Sequence, residues 1–349
     1  MRSPGCGSAY NRQPAWLRPT ISAAHQSYWP ISIGFFASPP PNPIGISSRP
    51  PLGGRRSRSA DERISTIPRV TIGSATAPAS SANLGPGFDC LGIAFELRCR
   101  VEASPADEWI IEELGTSFVP PSQDFVRRAV AAAVGRPMRL VINNDVPRSR
   151  GLGSSSAVMT AAAAASLRAM GEEPDSDSLF ELVADIEGHG DNAGAAVYGG
   201  LVAVADGELL QLELSPDLLF VFGIPEEPLK TSKARKALPD EIPRAAAARN
   251  IARVAFLIEG FRTGDPAALA RAGGDEIHEL YRDSLSPVTR RMMQAAVEAG
   301  ALHSAWSGAG PTAMAITNAN PGPVADAMRG VLAGRGRVMV LDVAEAGWT

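Results

Sequence analysis

Cysteine is scarce in this 349-residue chain, which has only Cys6, Cys90 and Cys99. A disulfide framework or a cysteine-ligated zinc site needs several cysteines at short, regular spacing. Three scattered cysteines exclude both. We therefore expect reduced thiols and a cytoplasmic protein.

Long hydrophobic runs are also lacking. The longest run of small apolar residues is Ala161–Ala165, whereas a membrane-spanning helix needs about 20 apolar residues. Hydrophobic residues make up 45% of the chain and charged residues 20%, as in globular proteins with a sizeable core. We expect no membrane partner, and the length is sufficient for two domains.

The main part of the chain lacks an excess of positive charge. Residues 1–67 carry eight arginines and two acids, whereas residues 68–349 carry 25 basic and 35 acidic residues, a net charge of −10. Nucleic-acid-binding domains usually present a basic face. The acidic part therefore argues against a nucleic-acid partner, although a local arginine cluster can still bind a small anion.

Residues 1–67 show no helical or strand periodicity and contain ten of the 29 prolines. This composition predicts a disordered Pro/Arg-rich leader. An Arg-rich, acid-poor leader is also typical of an organellar transit peptide. No clear amphipathic helix is visible, however, and the Arg- and Ala-rich composition indicates a GC-rich bacterial genome. We favour a dispensable or mis-assigned leader over a targeting segment.

From Arg69 onward, strand and helix patterns are mixed without steady β-α-β alternation. This mixture favours an α+β fold over a doubly wound sheet. The predicted strands and hairpins lie at Val70–Thr76, Leu91–Glu102 (a strand pair), Met138–Asn143, Tyr198–Ala205, Leu209–Leu214, Ala301–Ser307, Ala313–Thr317 and Val338–Val343, and a second block opens at Leu218–Ile224. The predicted helices lie at Phe125–Val134, from the serines after Gly153 to Met170, and at Ser176–Ile186, Thr231–Leu238, Ala245–Arg262, Pro266–Glu279 and Pro287–Ala299.

The most informative motif is the Gly/Ser-rich segment Pro147–Ala157. Gly151 and Gly153 let the backbone approach an anion closely, and a helix that begins after them points its free N–H groups at that anion. No lysine follows the glycines, so the motif is not a Walker loop. A structural turn with a serine N-cap would show the same residues, so the motif alone leaves both interpretations open.

Two further glycine-rich turns lie at Ser80–Asp89 and Ser307–Thr312. In the first, Asn83 and Asp89 can converge on one polar ligand, or can serve a structural turn with positive φ angles. A fourth polar segment, Glu187–Asn192, offers a carboxylate suited to Mg²⁺ and side chains able to position a hydroxyl. Its alternative interpretation is a solvated polar loop.

Together, the segments Asn83–Asp89, Gly151–Ala157 and Ser307–Thr312 resemble the three motifs of the GHMP kinase superfamily. The run Ser-Ala-Asn-Leu-Gly-Pro-Gly-Phe-Asp and the His-x-Asp-Asn loop are similar to those of the homoserine kinases within it. The resemblance covers residues 69–349 and implies a two-lobed α+β fold. Residues 69–208 would form an N-terminal ATP-binding lobe like ribosomal protein S5 domain 2, and residues 215–349 a ferredoxin-like C-terminal lobe. The implied activity is phosphorylation of L-homoserine to O-phospho-L-homoserine, a step toward threonine.

The resemblance also implies roles for individual residues. The ATP phosphates would be bound by Pro147, Arg148, Ser149, Arg150, Gly151, Leu152, Gly153, Ser154, Ser155, Ser156 and Ala157. Mg²⁺ would be held by Ser155 and Glu187, with Glu181 as the weaker alternative. Homoserine would be bound by Asn83, Asp89, His189, Thr231, Arg235 and Arg282.

Within that substrate set, Asp89 would take the ammonium group and the two arginines the carboxylate, which suits the guanidinium fork. Without the resemblance, Arg235 and Arg282 would be interpreted as solvated helical arginines. Asp191 and Asn192 would lie near the attacking hydroxyl, with His189 binding and orienting it. Whether any residue acts as a base stays open, because a loose transition state does not require one.

This chain has glycine at position 190, where the family usually has proline, so we expect a looser loop there. Mevalonate-type and sugar kinases are rivals within the fold, although they are not expected to keep both arginines. A non-catalytic nucleotide or amino-acid sensor is the rival of another class. A homodimer is compatible with the family, but no residue decides it.

Overall fold

Two β-sheets organise the part of the chain that the structure, a computed structural model, describes: residues 71–114 and 123–349. The predicted leader lies outside these residues. The first sheet has the order β3-β4-β2-β5-β6, with β1 paired to β2. Its strands are β1 (Gly73–Asn83), β2 (Gly87–Pro105), β3 (Ile110–Glu113), β4 (Met138–Asn144), β5 (Leu201–Ala205) and β6 (Glu208–Leu212).

Strand β2, with 19 residues, lies in the middle of this sheet. Its first half pairs with β5 and its second half with β4, while β1 runs antiparallel along most of its length. The register between β1 and β2 shifts at Pro78/Ala79, and such a bulge bends a strand. The predicted strand pair within Leu91–Glu102 is therefore wrong, because one continuous strand changes its partner there.

Four helices accompany the first sheet: α1 (Gln123–Val134), α2 (Ser154–Ala169), α3 (Ser176–Glu187) and α4 (Asp191–Tyr198). Helix α2 is buried on nearly all sides, including Ala161–Ala165. Its small side chains allow close packing against β1, where a Cβ added to Gly73 would lie 2.0 Å from the Ala165 carbonyl oxygen. This packing holds the C-terminal half of α2 on the sheet, while the helix begins at Ser154, inside the Gly/Ser-rich segment.

The second sheet has the order β10-β7-β9-β8. Its strands are β7 (Leu219–Pro225), β8 (His303–Trp306), β9 (Ala313–Thr317) and β10 (Gly336–Leu341), and helices α9 (Pro287–Glu298) and α10 (Gly322–Leu332) pack against it. Phe95 of β2 packs edge-on against Phe220 and Phe222 of β7, with ring centroids 5.2 and 4.8 Å apart. The two sheets thus share a hydrophobic core, and the α+β class predicted from the sequence is confirmed.

The segment between β7 and α9 contains α5 (Thr231–Lys236), α6 (Arg244–Thr263), α7 (Pro266–Arg271), α8 (Glu279–Arg282) and a 3₁₀ turn, Asp283–Leu285. No helix among the described residues is both long and apolar enough to cross a membrane. Helices α4 and α10 had no counterpart among the sequence predictions.

The predicted helix Pro266–Glu279 is wrong because glycines interrupt it. Gly274 has a φ of +88°, a left-handed conformation that ends a helix. The Asp275 carboxylate then accepts hydrogen bonds from the N–H groups of Ile277, His278 and Glu279. Helix α8 is therefore a separate helix, with His278 and Arg282 buried.

Candidate active site

The first and last glycine-rich turns are joined through Asn83. Its Nδ2 donates to the Gly308 carbonyl oxygen at 2.8 Å, and its Oδ1 accepts from the Asp89 N–H at 3.0 Å. The Gly308 N–H in turn donates to the Ala82 carbonyl oxygen at 3.0 Å. Both ends of the Asn83 amide are thus bound to the main chain, so this residue positions Asp89 and the last turn. Contact of Asn83 with a substrate stays a prediction.

The Gly/Ser-rich segment is held between the same two turns. The Gly151 carbonyl oxygen accepts from the Ser307 hydroxyl at 2.6 Å, and the Leu152 carbonyl oxygen accepts from the Ser80 N–H at 3.1 Å. Leu152 and Ala157 are buried. Three segments that are far apart in the sequence therefore meet at one place.

Helix α2 begins at this junction with no side-chain cap. Its N-cap, Gly153, has a φ of +65° and provides no side-chain hydrogen bond. Ser154 is turned away, since its hydroxyl accepts from Asn144 and donates to the Val146 carbonyl oxygen, whereas Ser155 is exposed. Uncapped N–H groups and the positive end of the helix dipole make such a terminus an anion-binding site.

The substitution Gly151→Ala tests how tightly this junction is packed. A Cβ at Gly151 would lie 2.0 Å from the Ser307 carbonyl oxygen and 2.7 Å from the Gly310 nitrogen, so main chain must move. We expect kcat/KM for ATP to fall by a factor on the order of 100, the usual cost of a misplaced binding group. Steady-state kinetics with varied ATP measure this effect.

Gly171→Ala is the matched control at the other end of α2. Gly171 also has a left-handed φ, +83°, but nothing lies within 4 Å of an added Cβ. This variant should lose about 1–2 kcal/mol of stability from backbone strain alone and keep its affinity for ATP. Equal kinetic losses in the two variants would contradict the packing interpretation.

The remaining residues of the segment are fixed by protein partners. Arg148 forms a two-pronged ion pair with Glu113, at 2.9 and 2.5 Å. The Arg150 guanidinium donates to the carbonyl oxygens of Arg148 and Glu226. Pro147 precedes them, and the Ser149 carbonyl oxygen accepts from the Leu229 N–H at 3.0 Å. These contacts shape the segment, and contact with phosphate stays a prediction for each residue.

Glu187 ends α3 beside the first turn of α2. Its carboxylate accepts from the Ser156 hydroxyl at 2.6 Å. Burial raises the pKa of Glu187, although hydrogen bonds from Ser156 and Ser155 oppose the shift. Glu181, the weaker alternative, is exposed on α3. The structure thus places Glu187 and Ser155 together, as a shared ligand would require.

The short connection between α3 and α4 and the first turn of α4 bring His189, Asp191 and Asn192 together. Asp191 is buried, and its Oδ1 accepts from His189 Nδ1 at 2.6 Å and from the Asn192 N–H at 2.8 Å. Burial would lower the pKa of His189, but the Asp191 carboxylate outweighs burial and raises it. Asn192 Oδ1 accepts from the Ser80 hydroxyl at 2.9 Å, which ties this loop to the first turn.

Close packing explains why position 190 holds a glycine. Its φ of −100° suits most residues, although the proline ring fixes φ near −65°. An added Cβ would lie 2.7 Å from a Val204 methyl group and 3.3 Å from the Phe180 ring. Large neighbours therefore fill the volume that a proline ring would need. The looser loop expected from the sequence stays a prediction.

Asp89 and Arg235 form a two-pronged ion pair, with N–O distances of 2.9 and 2.8 Å. Both side chains are about one-third exposed. Asp89 also lies near the His189–Asp191 pair, since one ligand atom from each of the three residues falls within 4.8 Å of the others. A negative and a positive group thus stand side by side at the surface of the site.

Arg282 is nearly fully buried, with 2% exposure. Its Nη1 donates to the Gly308 carbonyl oxygen and to His278 Nδ1, both at 3.0 Å. Its Nε has no hydrogen-bond partner, and no described carboxylate forms an ion pair with it. Burial and the nearby charge of Arg235 lower the pKa of Arg282 to about 10.

An unpaired buried charge is costly, so this site favours an anionic ligand. Both guanidinium groups also lie over the Phe88 ring, with Cζ 5.6 Å from its centroid for Arg282 and 5.9 Å for Arg235. Phe88 therefore brings the two cations to one surface. Thr231 is exposed at the start of α5, one turn before Arg235.

Sequence reasoning missed Phe88, His278 and Ser80 as parts of this site. His278 lies four residues before Arg282, a spacing that puts two residues on one face of a helix. That spacing could have indicated it, had α8 been predicted to begin there. Phe88 and Ser80 lie inside the first glycine-rich turn, Ser80–Asp89, but nothing in the sequence indicates what their side chains contact.

Comparison with known proteins gives concordant matches. The family model "GHMP kinases N terminal domain" matches residues 124–200, and "GHMP kinases C terminal" matches residues 257–333. The homoserine kinase of Moorella thermoacetica is 39% identical over 272 residues, 74% of this chain and 92% of that protein. The homoserine kinase of Thermus thermophilus is 37% identical over 288 residues, 80% of this chain and 97% of that protein.

A solved structure has the same fold. The crystal structure of homoserine kinase from Cytophaga hutchinsonii superposes with a TM-score of 0.72 at 24% identity, covering 80% of this chain and 97% of the other. The fold comparison and the two sequence comparisons span nearly the full length of those proteins.

Proposed function

Because the chain belongs to the homoserine kinases of the GHMP kinase family, we propose that the site described above transfers the γ-phosphoryl group of ATP to the side-chain hydroxyl of L-homoserine. The observation that carries this proposal is the buried, unpaired guanidinium of Arg282 beside the Asp89–Arg235 pair. Together these groups complement the ends of an amino acid, a carboxylate and an ammonium.

The substrate would bind to both members of the Asp89–Arg235 ion pair. Its ammonium group would bind Asp89, and its carboxylate would bind Arg282 and Arg235. The guanidinium fork binds both carboxylate oxygens at once. Mevalonate has a carboxylate but no ammonium group, and galactose has neither, so Asp89 disfavours both.

The ATP phosphates would lie at the start of α2, against the uncapped N–H groups and the backbone of residues 147–157. Phosphoryl transfer depends mainly on positioning and on neutralising the charge of the γ-phosphoryl oxygens. The helix terminus and the glycine-rich backbone supply fixed dipoles for that purpose. The junction with Ser307 keeps this surface in place.

Ser155 and Glu187 fit a bound Mg²⁺ ion. Their oxygens are the hard ligands that this ion prefers, and desolvation raises the pKa of the Glu187 carboxylate. When bound, the ion would neutralise phosphate charge. Glu187 would hold it, and Ser156, through its hydrogen bond, would hold Glu187.

His189, Asp191 and Asn192 would orient the substrate hydroxyl. His189 Nδ1 is bound to Asp191, which leaves Nε2 as the ring nitrogen able to face the substrate. Asp191 Oδ1 already accepts three hydrogen bonds, an arrangement suited to orientation rather than to proton removal. A cytoplasmic location and a homodimer, both expected from the sequence, stay predictions.

The test is ADP release by the purified chain with Mg-ATP, comparing L-homoserine with mevalonate, galactose, L-threonine and no acceptor. Turnover should be strong with L-homoserine and near the no-acceptor level with the others. Turnover with another alcohol would keep the kinase and overturn the substrate. Nucleotide binding without any turnover would favour the sensor.

A further inference from the structure

His278 is completely buried at the start of α8 and contacts two parts of the site. Its Nε2 lies 2.8 Å from the Gly85 carbonyl oxygen, and its Nδ1 lies 3.0 Å from Arg282 Nη1. A carbonyl only accepts a hydrogen bond and a guanidinium only donates one. The two partners therefore define a neutral ring that carries its proton on Nε2 and offers its Nδ1 lone pair to Arg282.

The surroundings of the ring keep it in that state. Burial lowers the pKa of His278 to about 4, and the charge of Arg282 acts in the same direction, while Asp275 acts against them. The Asp275 carboxylate lies 3.7 Å from Nε2. Phe88 stacks on the imidazole, with ring centroids 5.3 Å apart and planes at 29°.

We infer that His278 is a positioning residue for the substrate carboxylate: it holds the Arg282 guanidinium in its binding orientation and couples it to the first glycine-rich turn. This inference rests on the proposed role of Arg282 as the carboxylate ligand. His278 itself touches no substrate, because it is enclosed by Phe88, Gly85 and Arg282.

Arg282 needs such support because of where it lies. Helix α8 has only four residues, Glu279–Arg282, and the long arginine side chain has many rotamers. One Nη1 bond to Gly308 fixes a single nitrogen, and the Nε finds no partner. His278 accepts a second hydrogen bond from the same Nη1, so two acceptors fix the directions of both its N–H bonds and with them the guanidinium plane. A preorganised ligand of this kind binds its partner more tightly.

Two amide substitutions test separately the two hydrogen bonds of His278, to Arg282 and to Gly85. In His278→Asn the side-chain oxygen can occupy the position of Nδ1 and accept from Arg282. In His278→Gln the longer amide can reach the position of Nε2 and donate to Gly85, which leaves Arg282 without its acceptor. We expect KM for L-homoserine to rise about 10- to 100-fold in His278→Gln, the range for a lost hydrogen bond to a charged group.

His278→Asn should show a clearly smaller rise, and both variants should keep kcat and KM for ATP within about threefold of the unmodified chain, a shift below 1 kcal/mol. Equal rises in the two variants, or a larger rise in His278→Asn, would overturn the inference, since the anchor on Gly85 would then be what matters. A general structural role would instead change ATP binding and kcat.

A carboxylate-free analogue supplies the second readout. The amino alcohol 2-aminobutane-1,4-diol carries the ammonium and hydroxyl groups of homoserine and lacks the carboxylate. Its inhibition constant against homoserine should differ by less than about threefold between the unmodified chain and His278→Gln, because its neutral hydroxymethyl group forms no ion pair with Arg282. A parallel loss for this analogue and for homoserine would contradict the inference.

Arg282→Leu separates failure of this inference from failure of the proposed site. If Arg282→Leu raises KM for homoserine and His278→Gln does not, only the role of His278 is wrong. If neither variant changes KM for homoserine, Arg282 does not bind the carboxylate, and the proposed substrate site is itself overturned.

Discussion

Arg282→Leu is expected to raise KM for L-homoserine roughly 30- to 5,000-fold, the equivalent of about 2–5 kcal/mol for truncating one partner of a buried charge pair. KM for ATP should change little, since the guanidinium lies among the Gly308 carbonyl, His278 and Phe88 rather than at the start of α2. Steady-state kinetics with each substrate varied in turn measure both constants.

Two further variants make the result specific to Arg282. Arg282→Lys keeps the charge but loses the planar fork, so its KM for homoserine should fall between those of Arg282→Leu and the unmodified chain. Arg249→Leu removes an exposed arginine that pairs with Glu276 on the surface and should leave both KM values unchanged. Equal weakening of ATP and homoserine by Arg282→Leu would contradict the carboxylate assignment.

Glu187→Gln should lower kcat by roughly 10²- to 10³-fold, as expected for the loss of one electrostatic group at a reacting phosphate. The amide keeps the shape of the side chain and an oxygen that can accept from Ser156, but it loses the negative charge needed for Mg²⁺. The apparent Mg²⁺ requirement should rise as well. Both quantities come from ADP release measured at several Mg²⁺ concentrations.

Glu181→Gln is the matched control on the same helix. Glu181 is exposed on α3, and its neutralisation should leave kcat and the Mg²⁺ requirement unchanged. Comparable losses in the two variants would mean that the net charge of α3, and not a ligand at Glu187, is responsible. A Glu187→Gln enzyme with full kcat would remove this residue from the proposed metal site.

The glycine-rich turns could be predicted from the sequence because their chemistry is local. Glycine is the residue that most readily adopts a left-handed backbone, as Gly151 and Gly153 do here. The serines after them are typical of a helix start. The strength of such local signals also explains the correct prediction of the α+β class. The predicted helix Pro266–Glu279 is wrong because two glycines follow Ala272, and the helix ends before them although the apolar periodicity continues.

The sequence alone could not predict that these turns lie next to one another, since their contacts join residues that are far apart in the sequence. Asn83 reaches Gly308 and Ser307 reaches Gly151, and no local pattern encodes either bond. The same holds for the pairing of Asp89 with Arg235. The resemblance indicated these two residues as substrate ligands, but it did not indicate that they would bind each other.

The bond between Asn83 and Gly308 also has a consequence for the order in which the chain can become active. The two residues are 225 positions apart, and closing a contact of such separation is entropically slow. The α2 terminus and the first turn can form from residues up to Ala169, whereas Gly308 is made 225 residues after Asn83. The candidate active site is therefore complete only once Ser307 and Gly308 have been made, and a polypeptide interrupted before residue 307 lacks both bonds.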